Sequence, residues 1–203
     1  ILEIDSICDL YDAANWAERE AYDQYGIKFK GHPNLKRVLN HHQFIGHPLR
    51  KDYEADQQQH CNSVIPIHFN DTPEQAGDQL DSRFVPINIG PSHPAMHGTL
   101  RVMAELDGET IVRANCEIGY LHRCFEKMAE THPYNQVIPY TDRLNYCSSP
   151  INNMGWHMTF EKLIQAELPK RVEYMRIIIM ELARIADHLV CNSVIGVDTG
   201  AFS

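Results

Sequence analysis

The strongest constraint on this chain is a change of period. Val85, Ile87 and Ile89 alternate with Pro86 and Asn88, and Leu100, Val102, Ala104 and Leu106 alternate with Arg101, Met103 and Glu105, which is the two-residue repeat of a strand. Asp107-Gly108 follows, a dipeptide favoured in two-residue hairpins, and Thr110, Val112 and Ala114 resume the alternation. From Tyr120 the spacing turns helical. Ile151 to Leu168 reads as one helix. Pro169 opens another, whose Val172, Met175, Ile178, Ile179, Leu182, Ile185, Ala186 and Leu189 recur at three and four. Arg171, Glu173, Arg176, Arg184 and Asp187 fall mostly on its other face. At 1.5 Å per residue this helix is roughly 35–40 Å long, longer than a small domain needs for itself, which suggests a bundle belonging to a larger body.

Ahead of the strands, Trp16, Ala17, Ala21 and Tyr25, with Glu18, Arg19 and Glu20 between them, predict a short amphipathic helix between Leu10 and Tyr25, ended by Gly26. Periodicity then stops. Residues 31–53 repeat Gly-His-Pro twice and finish on Pro48-Leu49-Arg50-Lys51-Asp52-Tyr53, an irregular surface segment that needs something to lie against. Residues 54–83 are rich in Gln and Asp around one apolar island, Val64-Ile65-Pro66-Ile67, and read as a linker with a reach of about 30 Å. The expected organisation is therefore 1–53, linker 54–83, and 84–203. The expected fold class is α+β: an extended tail with one short helix, then a small antiparallel sheet followed by a mainly α-helical bundle.

Composition narrows the function. Lys and Arg number 18 against 27 Asp and Glu, a formal charge of −9, with no local basic stripe, so a phosphate-tracking nucleic-acid binder is disfavoured. The longest apolar run, Ile177-Ile178-Ile179-Met180, is far short of the roughly 20 residues that span a bilayer. Any work at a membrane goes through a partner. Six cysteines stand with none within four residues of another, which reads as reduced thiols. A start at Ile1 and a stop at Ser203 soon after a long helical pattern suggest a fragment of a longer polypeptide.

Twelve histidines invite a metalloprotein reading. The candidate groups are His41-His42, His93 with His97, and His122 with His132. Zinc sites, however, draw on closely spaced Cys or His pairs at two places in the chain, and the reading here is no metal. In GPSHPAMHG (90–98), Pro94 pushes His93 toward extended geometry, so two imidazoles four apart cannot share a helix face. Cys147 has Ser149 and Pro150 where a thiolate pair would want a second cysteine, which leaves it as a small hydrophobe.

Several stretches together are similar to a known family. Asn88 to Gly98 (NIGPSHPAMHG), Ile118 to Arg123 (IGYLHR), Phe125-Glu126-Lys127 and Pro139 to Tyr146 (PYTDRLNY) resemble the D subunit of NADH-quinone oxidoreductase, respiratory complex I. Ala17 to Asp23 (AEREAYD), Tyr25-Gly26-Ile27, Gly31-His32-Pro33 and Gly46 to Tyr53 (GHPLRKDY) resemble the C-terminal half of the C subunit. One chain with both resembles the fused C/D subunit of some bacteria. The sequence departs from the family at Cys124, where glycine is the pattern, and at Asn145, where aspartate is common. It departs again after Asp198, which is followed by Thr-Gly-Ala-Phe-Ser.

The resemblance implies a hydrogenase large-subunit-like fold that has lost its metal-holding cysteines, with a quinone site in the vacated cavity. It implies that His97 and Tyr146 hold the two carbonyl oxygens of the quinone head group and that Asp198 is hydrogen-bonded to the histidine. It implies that Arg123 and Arg143 face the terminal iron–sulfur cluster, held by the neighbouring B subunit. NADH is used by the complex and not bound by this chain. Implied partners are the other complex I subunits, above all the B subunit and the membrane subunit at the quinone entrance. The implied location is peripheral, on the cytoplasmic side of the bacterial inner membrane. As a fragment, the chain is expected to be inactive alone. The rival readings are a structural assembly module of the same arm, preferred if His97, Tyr146 and Asp198 do not converge, and a hydrogenase-type metalloenzyme, which the cysteine spacing disfavours.

Overall fold

The computed structural model describes residues 2–60 and 83–201. The chain divides into two compact units, Ile1–Lys127 and Met128–Ser203. The island at 64–67 and most of the expected linker fall at 61–82, outside the described residues, as do Phe202 and Ser203. Within the described residues the architecture is mixed: one two-stranded and one three-stranded sheet, with several helices.

In the first unit, Glu3–Asp5 (β1) pairs in parallel with Lys28–Lys30 (β2), one at each end of the loop that carries Ala14–Tyr25 (α1). At three residues each, these strands are too short to leave a period-two signal, and the sequence reading has only irregular chain there. Gly26 ends α1 in the left-handed region at φ 77°, and a Cβ there would lie 2.6 Å from the His47 ring. The helix is where it was expected, but the opposite face is inside. Ala14, Glu18, Arg19, Asp23 and Gln24 are buried, while Trp16 and Tyr25 stand largely in the open.

The reason for this inversion is the neighbour. Residues 36–50 form an irregular strap, and irregular backbone must find hydrogen-bond partners outside the regular ladders. Fully buried Asp23 supplies them: its carboxylate accepts the amides of Val38, Leu39 and Asn40 at 2.9–3.1 Å and Nδ2 of Asn40 at 3.0 Å. Arg37 NH1 adds a 2.6 Å ion pair and NH2 reaches the Gly46 carbonyl. Arg19 donates to the carbonyls of Lys36 and Arg37. His47 Nδ1 meets the Asp23 carbonyl at 3.0 Å, and the Leu49 amide donates to the Gln24 carbonyl at 3.0 Å. A polar helix face is thus the docking surface for a polar strap.

The second sheet is the expected meander. Val85–Ile89 (β3), Leu100–Asp107 (β4) and Thr110–Ile118 (β5) pair antiparallel in that order. Asp107 pairs with Thr110 around Gly108-Glu109, with a register irregularity at Glu105/Leu106. Central β4 carries the core positions Met103, Ala104 and Glu105, and Arg113 on β5 faces the Glu105 carboxylate at 3.3 Å.

Phe125–Thr131 (α2) carries the chain across the boundary at Lys127. The second unit follows with Ile138–Thr141 (α3), Ser149–Ile164 (α4) and Lys170–Asp198 (α5), plus 3₁₀ turns at Tyr134–Gln136 and Tyr146–Ser148. Helix α5 is one continuous helix of 29 residues, about 43 Å long. Its half-buried stripe is Val172, Arg176, Met180, Ala183 and Asp187. Of the apolar stripe expected from spacing, Val172 lies on this side, while Met175, Ile178, Ile179, Leu182, Ile185 and Leu189 are more than half exposed or close to it. The elements that α5 meets, α4 and the Tyr146–Ser148 turn, present polar groups. Glu161 of α4 forks onto Arg176, one arm at 2.8 Å, and Asn145 bonds Asp187.

Candidate functional site

Five residues carry the expected chemistry, His97 and Arg123 in the first unit and Arg143, Tyr146 and Asp198 in the second. The loop bearing His97 is a succession of tight turns. The Gly98 amide donates to the Pro91 carbonyl at 3.1 Å, that of Met96 to the His93 carbonyl at 3.0 Å, and that of Thr99 to the Met96 carbonyl at 2.9 Å. His93 Nδ1 accepts the Ala95 amide, so this imidazole is spent on its own turn. His97 has φ 53°, a left-handed conformation that few residues other than glycine adopt, and its side chain is exposed. Such outliers persist where surrounding structure imposes them, and they mark functional loops often enough to be noted.

Arg123 stands exposed on the loop between β5 and α2. Gly119 opens that loop at φ 100°, and a Cβ there would lie 2.2 Å from the Leu39 carbonyl oxygen, so only glycine lets the strap pass. Cys124, at φ 49°, directs its thiol at Gln24 Oε1, 3.8 Å away, and burial pushes that thiol up, keeping it a protonated donor.

In the second unit, Asn145 organises the turn that displays Tyr146. Its Nδ2 hydrogens go to Ser148 Oγ at 2.7 Å and Asp187 Oδ1 at 3.3 Å, while its carbonyl accepts from Asn152 Nδ2 at 2.9 Å and the Ser148 amide at 3.1 Å. Next to it, Asn153 Nδ2 donates to Asp142 at 2.6 Å, and Ser149 Oγ donates to the Asp142 carbonyl at 2.9 Å. The phenol projects from this braced turn with Tyr146 55% exposed. Arg143 is exposed as well, with NH1 on the Pro139 carbonyl at 2.7 Å.

Asp198 is the exposed last residue of α5. The acid on α5 that reaches the tyrosine turn is Asp187, eleven residues and about 16 Å earlier along the helix. Sequence reading missed it as a bracing group, placing it with the solvated charges. Its one available signal was the three- and four-residue spacing that sets it in line with Arg176, Met180 and Ala183 rather than with the apolar stripe.

Two other features could hold a ligand. A cavity of about 390 Å³ lies between the strap and the end of β5, lined by Arg19, Arg37, His41, Asn115 and Tyr120 among others, and none of the five residues reaches it. Cys8, Glu18 and His32 bring one ligand atom each within 4.8 Å of one another. His32 has no lone pair left for a metal. His32 Nδ1 accepts the Asn34 amide at 2.9 Å, which leaves Nε2 as the N–H facing the Asn15 carbonyl at 3.1 Å, and neither nitrogen has a lone pair to offer. Glu18 accepts from Ser6 Oγ at 2.7 Å and the Ile7 amide at 2.8 Å. Burial opposes its charge, yet these bonds outweigh burial and hold its carboxyl below the usual range. Purified without partners, the chain is expected to carry no stoichiometric iron, nickel or zinc. Metal analysis checks this, and one equivalent of zinc that disappears in Cys8→Ser would make the trio a metal site after all.

Comparison with known proteins gives consistent results. The family described as respiratory-chain NADH dehydrogenase, 30 kDa subunit, matches residues 2–59. The C/D subunit of NADH-quinone oxidoreductase from Bdellovibrio bacteriovorus is 63% identical over 193 residues, covering 95% of this chain and 34% of that protein. The D 2 subunit from Cytophaga hutchinsonii is 62% identical over 117 residues, 58% of this chain and 30% of that protein. The C/D subunit from Acidiphilium cryptum is 41% identical over 215 residues, covering the whole of this chain and 36% of that protein. The chain spans about a third of the length of these curated relatives.

Proposed function

We propose, from its match along nearly all of its residues to C/D subunits of NADH-quinone oxidoreductase and over residues 2–59 to the 30 kDa subunit family, that this chain spans the junction of the C and D parts and helps build the quinone-reduction site of complex I. The observation that supports it most directly is the pair of braced, outward-facing segments 90–98 and 141–149, each presenting one proton-carrying side chain, His97 and Tyr146. The subunit is peripheral, on the cytoplasmic side of the membrane. Among the described residues no helix is long and apolar enough to cross a bilayer. The second unit is the start of a hydrogenase large-subunit-like bundle, consistent with a long α5 whose apolar face is uncovered.

A terminal cluster held by the B subunit would be the source of electrons, and this chain's part is to set the charge beside it. Arg123 and Arg143 suit that neighbour, since both guanidiniums are exposed and an anionic cluster is easier to reduce beside fixed positive charge. As a quinone accepts electrons its carbonyl oxygens become more basic, and donors already in place then hand over protons. Imidazole is the side chain that exchanges protons near neutral pH, so His97 serves one carbonyl. Tyr146 donates its phenolic hydrogen to the other, and Asp198 orients the His97 ring. A purely structural module is the second reading, favoured by the extent of exposed apolar surface on α5.

A photoreactive quinone analogue decides between them in the assembled enzyme. Labelling is expected within residues 90–98 or 141–149 and should be displaced by excess quinone. Competed labelling confined to other subunits would leave this chain the structural role.

A further inference from the structure

The loop that carries Arg123 is held from behind by a residue to which nothing above gives a task. Lys127 is only 6% exposed, and its Nζ donates to the Arg50 carbonyl at 2.8 Å, joining positions 77 apart in sequence. Arg50 forks its exposed guanidinium onto Asp52 at 2.9 and 2.8 Å. That fork is the main reason the Asp52 carboxyl sits below its usual range, with Lys127 adding its own charge. The Lys127 amide turns back to the Cys124 carbonyl at 3.0 Å, and the His122 amide to that of Gly119 at 3.0 Å. Arg123 therefore lies between two points pinned to the strap and to α1. One is the Gly119–Leu39 passage, and the other is Lys127 on Arg50, with the Cys124–Gln24 contact between them.

A buried ammonium is costly to desolvate, and an apolar side chain of the same length would fill the space without that cost. What the ammonium adds is a directional bond to one particular carbonyl, and so a fixed register between strap and loop. We propose that Lys127 is a positioning residue: by anchoring the 119–127 loop to Arg50 it sets where Arg123 stands, so that the C-like segment governs the electrostatics of the D-like one. The electrostatic consequence rests on the reading of Arg123 given above. The anchor itself does not.

The test uses the assembled full-length enzyme with Lys127→Met, Lys127→Arg, and Arg123→Met as the reference. Two quantities are read, the midpoint potential of the terminal cluster by redox titration and amide exchange across residues 119–127. Lys127→Met is expected to lower the potential part of the way to the Arg123→Met value and to speed exchange of the loop amides about tenfold, whereas Lys127→Arg keeps both near wild type. If Arg123→Met moves the potential and Lys127→Met does not, the positioning role is wrong. If Arg123→Met leaves the potential unchanged, the reading of Arg123 fails, and exchange alone then judges the anchor, with wild-type exchange in Lys127→Met overturning it. Should Lys127→Met not assemble, Lys127→Leu, which also removes the donor, is judged by the same two readouts and the same expected changes.

Discussion

In the assembled full-length enzyme, Tyr146→Phe and His97→Ala are each expected to lower quinone reduction by about a hundredfold or more, the range in which a positioned proton donor acts. Electron transfer from the donor to artificial acceptors should stay near wild type. Tyr146→Phe is the sharper of the two. It removes one hydroxyl from a half-exposed ring and little volume, while the turn beneath is held through Asn145, Asn152 and Ser149. If Tyr146 serves a quinone carbonyl as proposed, the hydrogen bond lost is worth roughly 0.5–1.5 kcal/mol and more as negative charge grows on that oxygen. If Asp198 partners the imidazole as proposed, Asp198→Asn should be milder than either, since an amide keeps a hydrogen-bonding group there. Wild-type quinone turnover in Tyr146→Phe, or an equal loss with artificial acceptors, would reassign these residues to support of the fold.

The largest effect on stability is expected at Asp23. Asp23→Ala strands the Arg37 guanidinium and the amides of Val38, Leu39 and Asn40 in a buried place, and removing one partner of such a set costs about 3–5 kcal/mol. Urea unfolding of the chain measures it, and a loss below about 1 kcal/mol would mean that water replaces the carboxylate without penalty. The pH dependence has a definite sign. Burial alone would raise the Asp23 carboxyl, but the bonds from Asn40, Arg37 and Leu39 outweigh it and leave it below the usual range. A lowered folded value gives stability that is complete above the unfolded value of about 3.9 and is lost as pH falls through the folded one. Wild type should thus weaken on acidification below about pH 4, and Asp23→Asn should weaken less.

Elements with a repeat were legible from residues alone. The β3–β5 meander, the Gly26 stop of α1 and the long helix after Pro169 all follow from spacing and turn chemistry. What spacing cannot show is the partner. Helix α1 turns its charged side inward because the strap beside it has unpaired backbone groups, while α5 sets Arg176 and Asp187 among the apolar residues of its half-buried stripe because Glu161 and Asn145 are what they meet. The β1–β2 pair is invisible for another reason, since three residues are too few for a pattern. Around the candidate site, the non-helical character of 90–98 could be read from Pro94. The bracing of Tyr146 by Asp187 could not, because it depends on which way a helix is rotated about its axis.

The contacts between the strap and the 119–127 loop also bear on assembly kinetics. Two surfaces on separate chains would have to find each other by diffusion, and their contact would loosen on dilution. Here the Lys127–Arg50 bond closes a loop of 77 residues within one polypeptide. Its entropic cost grows only as the logarithm of that length, and the effective concentration of one surface for the other is on the order of millimolar. Strap and loop on one polypeptide therefore stay docked at any protein concentration.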